Sequence, residues 1–285
     1  MESLGWIWKN LMRCIYWLTL TGVLVASLAC ACSTEKPAPV DVNAPMESND
    51  IGDTSTIPEP NRAPTLAEIL NHTQAAAESL NSLQGRVVYT FVDTFNESTT
   101  TRLGQVHYRR LGTRSDLRIQ FTAKKEDEMP EVRYREEMFF DGVWSTHIDY
   151  QGRMVKKQQL VPADQPMDAL DLVSRDVPIF GFNGLKRLRE RYHIETIPAE
   201  PNAPTRVHLR FMPDPSTRSD DTYQRMDMWL DSRHWLPTHV EAVNQNEDVF
   251  DLRFPDLQID QPIDPNVFNI QIPANFGSPE VVPLP

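Results

Sequence analysis

The chain has 285 residues, 40% of them hydrophobic and 24% charged, a balance that supports a packed globular core. Its formal net charge is −12, with no basic cluster of the size that tracks a phosphate backbone, which excludes nucleic acid as a partner and disfavours docking on anionic lipid. The three cysteines, Cys14, Cys30 and Cys32, all fall near the N-terminus, so the folded part has neither a disulfide framework nor a thiolate metal site.

Lys9 and Arg13 precede an uncharged apolar run from Cys14 to Ala29. That run is shorter than the ~20 residues needed to cross a bilayer as a helix, which predicts a signal peptide over 1–29. Val25-Ala26-Ser27-Leu28-Ala29-Cys30-Ala31-Cys32 resembles the lipobox of bacterial lipoproteins, in which small residues precede a cysteine that is diacylated and becomes the new N-terminus. Cys30 is the lipidation candidate because Leu28-Ala29 precede it, with Cys32 as the alternative; neither has the preferred leucine three residues upstream. An uncleaved anchor and an ordinary secretory signal are the other readings, and both also place the rest of the chain outside the cytoplasm. Two acyl chains on one cysteine suffice for stable anchoring. Neither Ala31 nor Ser33 is the aspartate that retains some lipoproteins at the inner membrane, which favours the outer one.

Residues 30–64 carry the modified cysteine and then Pro37, Pro39, Pro45, Pro58, Pro60 and Pro64 among acidic side chains, with no aromatic residue. Such a segment buries too little apolar area to order itself and predicts a disordered tether, with a span on the order of 30 Å. A domain is expected over 65–277, with 278–285 as a tail. Thr65 and Glu68 form a capping-box pattern, and Leu66, Ile69, Leu70, Thr73, Ala77, Leu80 and Leu83 keep helical spacing up to Gly85.

Alternating residues then mark strands: Val87, Tyr89 and Phe91; Val106 and Tyr108; Leu117, Ile119 and Phe121. Asp141-Gly142 predicts a two-residue hairpin between Phe140 and Val143, because both residues accept positive φ. Trp144, Ile148 and Tyr150 share a face beyond it. Later strands carry Val207, Leu209 and Phe211; Met226, Met228 and Leu230; Phe250, Leu252 and Phe254; Phe268, Ile270 and Ile272. Only the centre departs from this pattern: Met167–Val173 and Asn183–Tyr192 look helical. The fold class is mainly β (α+β), a large antiparallel sheet of about eleven strands whose apolar face exceeds what one helix covers.

The order of these elements resembles the LolA/LolB superfamily of lipoprotein carriers and receptors. Leu66–Tyr89 resembles its first helix and strand, Gly104–Arg110 the second strand, and Phe140-Asp141-Gly142-Val143-Trp144 its Asp-Gly hairpin. Met228-Trp229-Leu230-Asp231 with Leu236-Pro237 resembles a late strand pair, and Phe268–Pro273 the closing strand. The resemblance covers about residues 65–277. It implies an unclosed barrel with helices over a concave apolar face that holds acyl chains. It places Tyr89, Phe91, Tyr108, Ile119, Phe121, Trp144, Ile148, Leu209, Phe211, Met226 and Met228 in the lining of an apolar cavity of hundreds of Å³. In the family's carriers an arginine at the end of the second strand holds the lid shut. Arg110 matches that position as a lid contact, although Leu111 stands where a proline commonly follows, which favours a plain surface arginine.

No phosphate-cradling loop, zinc helix or nucleophile elbow occurs. The histidines are dispersed, and the adjacent pairs Glu136-Glu137 and Asp220-Asp221 point to opposite faces of a strand. The expectation is therefore a non-enzymatic monomer with no catalytic residue, metal or cofactor. Its expected partners are lipid acyl chains or lipoproteins, with the membrane reached through the N-terminal acyl anchor. Methionines such as Met226 and Met228 suit a surface that re-packs around flexible chains. The competing expectation is a regulatory or structural envelope protein that binds a protein partner.

Overall fold

A computed structural model describes residues 63–171, 189–198, 206–215 and 223–284. The expected signal peptide, Cys30, Cys32 and the tether up to residue 62 lie outside the described residues, as do 172–188, where part of the central helical expectation falls.

Order begins at the predicted capping box. The Thr65 amide donates to Glu68 Oε2 at 2.7 Å, and the Glu68 amide donates to the Thr65 hydroxyl at 3.3 Å. This box starts α1 (Leu66–Ser79), which buries Ile69, Leu70, Thr73 and Ala77. The helix stops at Ser79 rather than at Gly85, and the cause lies in side chains distant in sequence. Asp260 Oδ1 accepts the amides of Asn81 and Ser82 at 2.8 and 3.0 Å, so these two groups cannot extend the helix. Gly85 sits instead inside the first strand.

The strands are β1 (Ser82–Asp93), β2 (Ser98–Leu111), β3 (Arg114–Glu126), β4 (Val132–Phe140), β5 (Trp144–Asp149), β6 (Met154–Gln159), β7 (Tyr192–Ile197), β8 (Arg206–Pro213), β9 (Tyr223–Asp231), β10 (Pro237–Asn244), β11 (Val249–Arg253), β12 (Gln258–Ile259) and β13 (Glu280–Val282). They form one sheet in the order β13-β6-β5-β4-β3-β2-β1-β11-β10-β9-β8-β7, with β12 beside the start of β1. Every pairing is antiparallel except β13 on β6. Among the described residues β7 and β13 are the outer strands and do not pair with each other, so the sheet is unclosed. Tyr192, read from the sequence as the end of a helix, opens β7.

Register assigns the faces, because directly paired residues point the same way. One row runs Phe91–Phe250–Ala242–Met226–Phe211–Ile194 and the next runs Tyr89–Leu252–Val240–Met228–Leu209. Across β2 to β4 the same face continues through Val106–Ile119–Met138 and Tyr108–Leu117–Phe140. Gly104 belongs to this face at a β-bulge opposite β3, where a Cβ would collide with the Gln120 carbonyl oxygen.

The opposite face carries Gln105, Gln120, Glu137 and Ile148 in one row and His107, Arg118, Phe139 and Thr146 in another. After β12 the chain forms a strap against it. A 3₁₀ turn (Pro265–Phe268) is anchored by the Arg118 guanidinium donating to the Val267 carbonyl and by Arg109 lying 4.1 Å over the Phe268 ring. Phe276 meets Tyr150 edge-on at 5.4 Å, and β13 then joins β6. The closing strand expected over Phe268–Ile272 is therefore absent. Asp264 caps a turn there by accepting the Asn266 amide at 2.9 Å, and prolines at 262, 265 and 273 remove ladder donors. Residues 280–282, expected within a tail, supply the edge strand.

The link between β4 and β5 also differs from expectation. It spans Asp141–Val143, with positive φ at Gly142 alone (93°). Asp141 Oδ1 accepts the amides of Val143 and Trp144 at 3.0 and 2.7 Å, so a carboxylate turn replaces the two-residue type I′ hairpin.

Candidate binding face and its latch

Nine of the eleven expected lining residues lie on the apolar face. By the pairing rows these are Tyr89, Phe91, Tyr108, Ile119, Phe121, Leu209, Phe211, Met226 and Met228, and all are buried. Trp144 and Ile148 are a correction: Ile148 pairs with Glu137 and Trp144 with Gln159, which puts both on the strap face. The physical reason is that β4 to β6 are covered on both sides. Phe139 and Ile148 look toward the strap while Phe140 looks the other way, so alternation there marks two buried faces without saying which is which.

Beside Leu80, Leu83, Val106, Tyr108, Leu117 and Leu170 the described residues leave an apolar cavity; of the eleven expected lining residues Tyr108 alone borders it, and its volume is about 20 Å³, not the hundreds of Å³ expected. That is room for about one water. The wall residues are 0–9% exposed, so their side chains are packed against the rest of the chain rather than open to solvent.

A polar cluster rims this cavity. Arg110 extends from the end of β2 on the apolar face, its guanidinium donating to Asp168 Oδ2 at 3.0 Å, to the Ala77 carbonyl at 2.9 Å and to the Glu78 carbonyl. It thus ties the last turn of α1, where backbone carbonyls lack helical partners, to the sheet. Asp168 also accepts from the Tyr108 hydroxyl at 2.7 Å, the Ser115 hydroxyl at 3.3 Å and the Leu170 amide at 2.8 Å, while Ser115 Oγ accepts the Ala169 amide at 2.6 Å. Burial and the adjoining Asp168 carboxylate push the Tyr108 phenol upward, so it stays a donor at neutral pH. Arg110 is mostly buried and fully engaged, unlike a plain surface arginine. Asp168 was not anticipated, because one aspartate before Ala169-Leu170 reads only as an ordinary helix start.

A second polar group stands on the same face nearer the β1–β2 turn. Arg102 pairs with Tyr89, and its guanidinium lies 5.8 Å from that ring and 5.7 Å from the Tyr134 ring. Glu136 accepts from the Tyr134 hydroxyl at 2.7 Å and lies 2.8 Å from His147 Nε2. Burial alone would raise the Glu136 carboxyl. The His147 bond, the Arg102 charge and the Tyr134 hydroxyl overcome it and bring the group to about 2. Glu136 and Glu137 do point to opposite faces, as strand geometry requires. The signal for Arg102 was present in the sequence, since it keeps the same even spacing as Val106, Tyr108 and Arg110.

Among the described residues no group of three or more His, Cys, Asp or Glu side chains is arranged to hold a metal ion. No helix among them is long and apolar enough to cross a membrane.

No family model and no curated protein matches the chain. Solved structures do. An uncharacterized conserved protein from Thermus thermophilus is 10% identical, with 76% of this chain and 98% of that one covered at a TM-score of 0.45. MucB, known from Pseudomonas aeruginosa in complex with MucA, is 16% identical, with 76% and 64% covered at 0.45. A LolA superfamily protein from Nitrosomonas europaea is 14% identical, with 72% and 98% covered at 0.30. Each is a likeness in fold at low identity.

Proposed function

We propose that this chain is a non-catalytic binding protein of the cell envelope whose apolar sheet face takes up acyl chains of lipids or lipoproteins. The observation that carries this reading is the Arg110 latch. A continuous apolar wall runs across β1–β3 and β8–β11; α1 buries Ile69, Leu70 and Ala77, and its last turn is tied to the sheet by hydrogen bonds from one guanidinium. Hydrogen bonds of this kind can be exchanged for bonds to water, so the last turn of α1 is the place where the wall would open to a guest and reclose on it. Burying some ten methylenes against it would contribute roughly 8 kcal/mol, which corresponds to about micromolar affinity before association costs are subtracted. Met226 and Met228 supply side chains that repack around a flexible guest. Lipidation at Cys30, or at Cys32, would fix the protein to a membrane facing the periplasm, the outer one favoured. A receptor or acceptor of lipoproteins fits an anchored chain better than a shuttling carrier.

A second reading, docking of a protein partner, is favoured by Phe95 and Met129. They are 86% and 65% exposed at the β1–β2 and β3–β4 turns, which adjoin because Asp127 bonds the Thr99 amide at 2.6 Å. The test is mass spectrometry of lipids extracted from the exported full chain carrying Cys30→Ser and Cys32→Ser, so that its own anchor contributes nothing. Diacyl species at near one per chain support the acyl reading. A lipid-free chain that retains a stoichiometric protein partner supports the second.

A further inference from the structure

Arg102 is a basic side chain on an apolar wall, and its surroundings leave it underused. It is 7% exposed, on the same face as Tyr89 and Phe91, and its Nε–H has no hydrogen-bond partner. The carboxylate beside it, Glu136, lies 3.5 Å from that nitrogen, and its short bonds go to Tyr134 and His147 instead. Neighbouring charges are occupied as well. Asp149 Oδ1 accepts the amides of Gln151 and Gly152 at 2.9 and 3.0 Å, and Lys124 pairs with Glu126 at 2.7 Å. The guanidinium is meanwhile held in place between the Tyr89 and Tyr134 rings. A buried donor without an acceptor is costly, and a guanidinium is the side chain best shaped to receive two oxygens of one anion.

We infer that Arg102 is the head-group site of the acyl-binding face, and that the chain's ligand is an amphiphile with an anionic oxygen head, a carboxylate or a phosphate, whose tail lies on the Phe91–Phe211 side. The inference rests on the acyl-binding reading and narrows it. A uniformly apolar wall would hold any tail, whereas a fixed cation at one end orients the guest and selects its head. The short bonds of Glu136 go to Tyr134 and His147, so the unpartnered Nε–H of Arg102 can take a ligand oxygen while its charge stays beside that carboxylate.

The test uses the full chain with Cys30→Ser and Cys32→Ser and three ligands of equal tail length, decanoate, decyl phosphate and 1-decanol, in isothermal titration below their aggregation limits. At least one of the two anions is expected to bind tenfold or more tightly than decanol, about the value of one charged hydrogen bond. Whichever anion leads identifies the head as carboxylate or phosphate. Arg102→Met is expected to bring the anion-to-decanol ratio towards one, and Arg102→Lys to keep most of it. Equal affinity for all three ligands overturns the head-group site while leaving acyl binding intact. An anion preference that survives Arg102→Met also overturns it. If none of the three binds, the acyl reading itself fails. Should Arg102→Met not fold, the ratio in the unsubstituted chain and in Arg102→Lys decides.

Discussion

Replacing Arg110 by leucine removes the fastening between α1 and the sheet. The Glu78 and Ala77 carbonyls of the last helical turn lose the guanidinium, Ala77 keeping the Leu80 amide, and Asp168, buried beside the cavity, loses its cation. Breaking a buried ion pair by deleting one partner costs about 3–5 kcal/mol. Here Asp168 keeps the Tyr108 hydroxyl, the Ser115 hydroxyl and the Leu170 amide, and the Arg110 side chain is 19% exposed, so about 2–3 kcal/mol is the expected loss. For a domain of this size that corresponds to a Tm lower by roughly 5–10 °C. The loss should be local: hydrogen exchange at the amides of Thr73–Leu80 accelerates well beyond that of the β9–β10 amides. Arg109→Leu, on the strap face, serves as the control and leaves α1 exchange unchanged. A Tm within 1 °C of the parent, or exchange that rises equally throughout the sheet, would refute the view of Arg110 as a discrete fastening.

Acid should weaken the fold through the same chemistry. Glu136 is held at about 2 against 4.5 unfolded, so its stabilisation is complete above pH 4.5 and fades as pH falls towards 2. Integrated over that window it amounts to about 3 kcal/mol, visible in urea melts at pH 3 against pH 6 and diminished in Glu136→Gln. Asp227, held low against burial by His208 and Arg210, and Asp251, by His239 and Arg253, act in the same direction. Phe268→Ala takes away the anchor under Arg109 and should cost about 3 kcal/mol, with limited proteolysis cutting first between residues 269 and 279. Unchanged proteolysis would show that the strap is held elsewhere. Gly104→Ala should lower stability by about 1–3 kcal/mol, because its methyl meets the Gln120 carbonyl at the bulge; a neutral result would mean β2 and β3 re-register.

Much of this fold was legible where one face of a strand is polar. Arg206, His208 and Arg210 alternate with Val207, Leu209 and Phe211, and the structure places β8 accordingly. The first helix was legible from Thr65 and Glu68, yet its end was not. Asp260, well over a hundred residues away, takes the next amides, and no local pattern encodes that. The faces of β5 were illegible because both are covered, and the strap was misread because Phe268, Ile270 and Ile272 alternate like a strand while their prolines forbid one. Of the site, the apolar wall followed from alternation. The polar groups set into it, Asp168 and the Arg102–Glu136–His147 group, become visible only when register brings four strands and a turn together.

The central claim is that the wall of Leu209, Phe211, Met226 and Met228 receives acyl chains. Photo-crosslinking with a fatty acid carrying a diazirine near its tail end, followed by peptide mapping, tests it directly. The account predicts adducts concentrated on β8 and β9 at those four residues, increased in Arg110→Leu. Adducts confined to the strap face around Trp144 and Ile148, or no saturable adduct on either face, would contradict it.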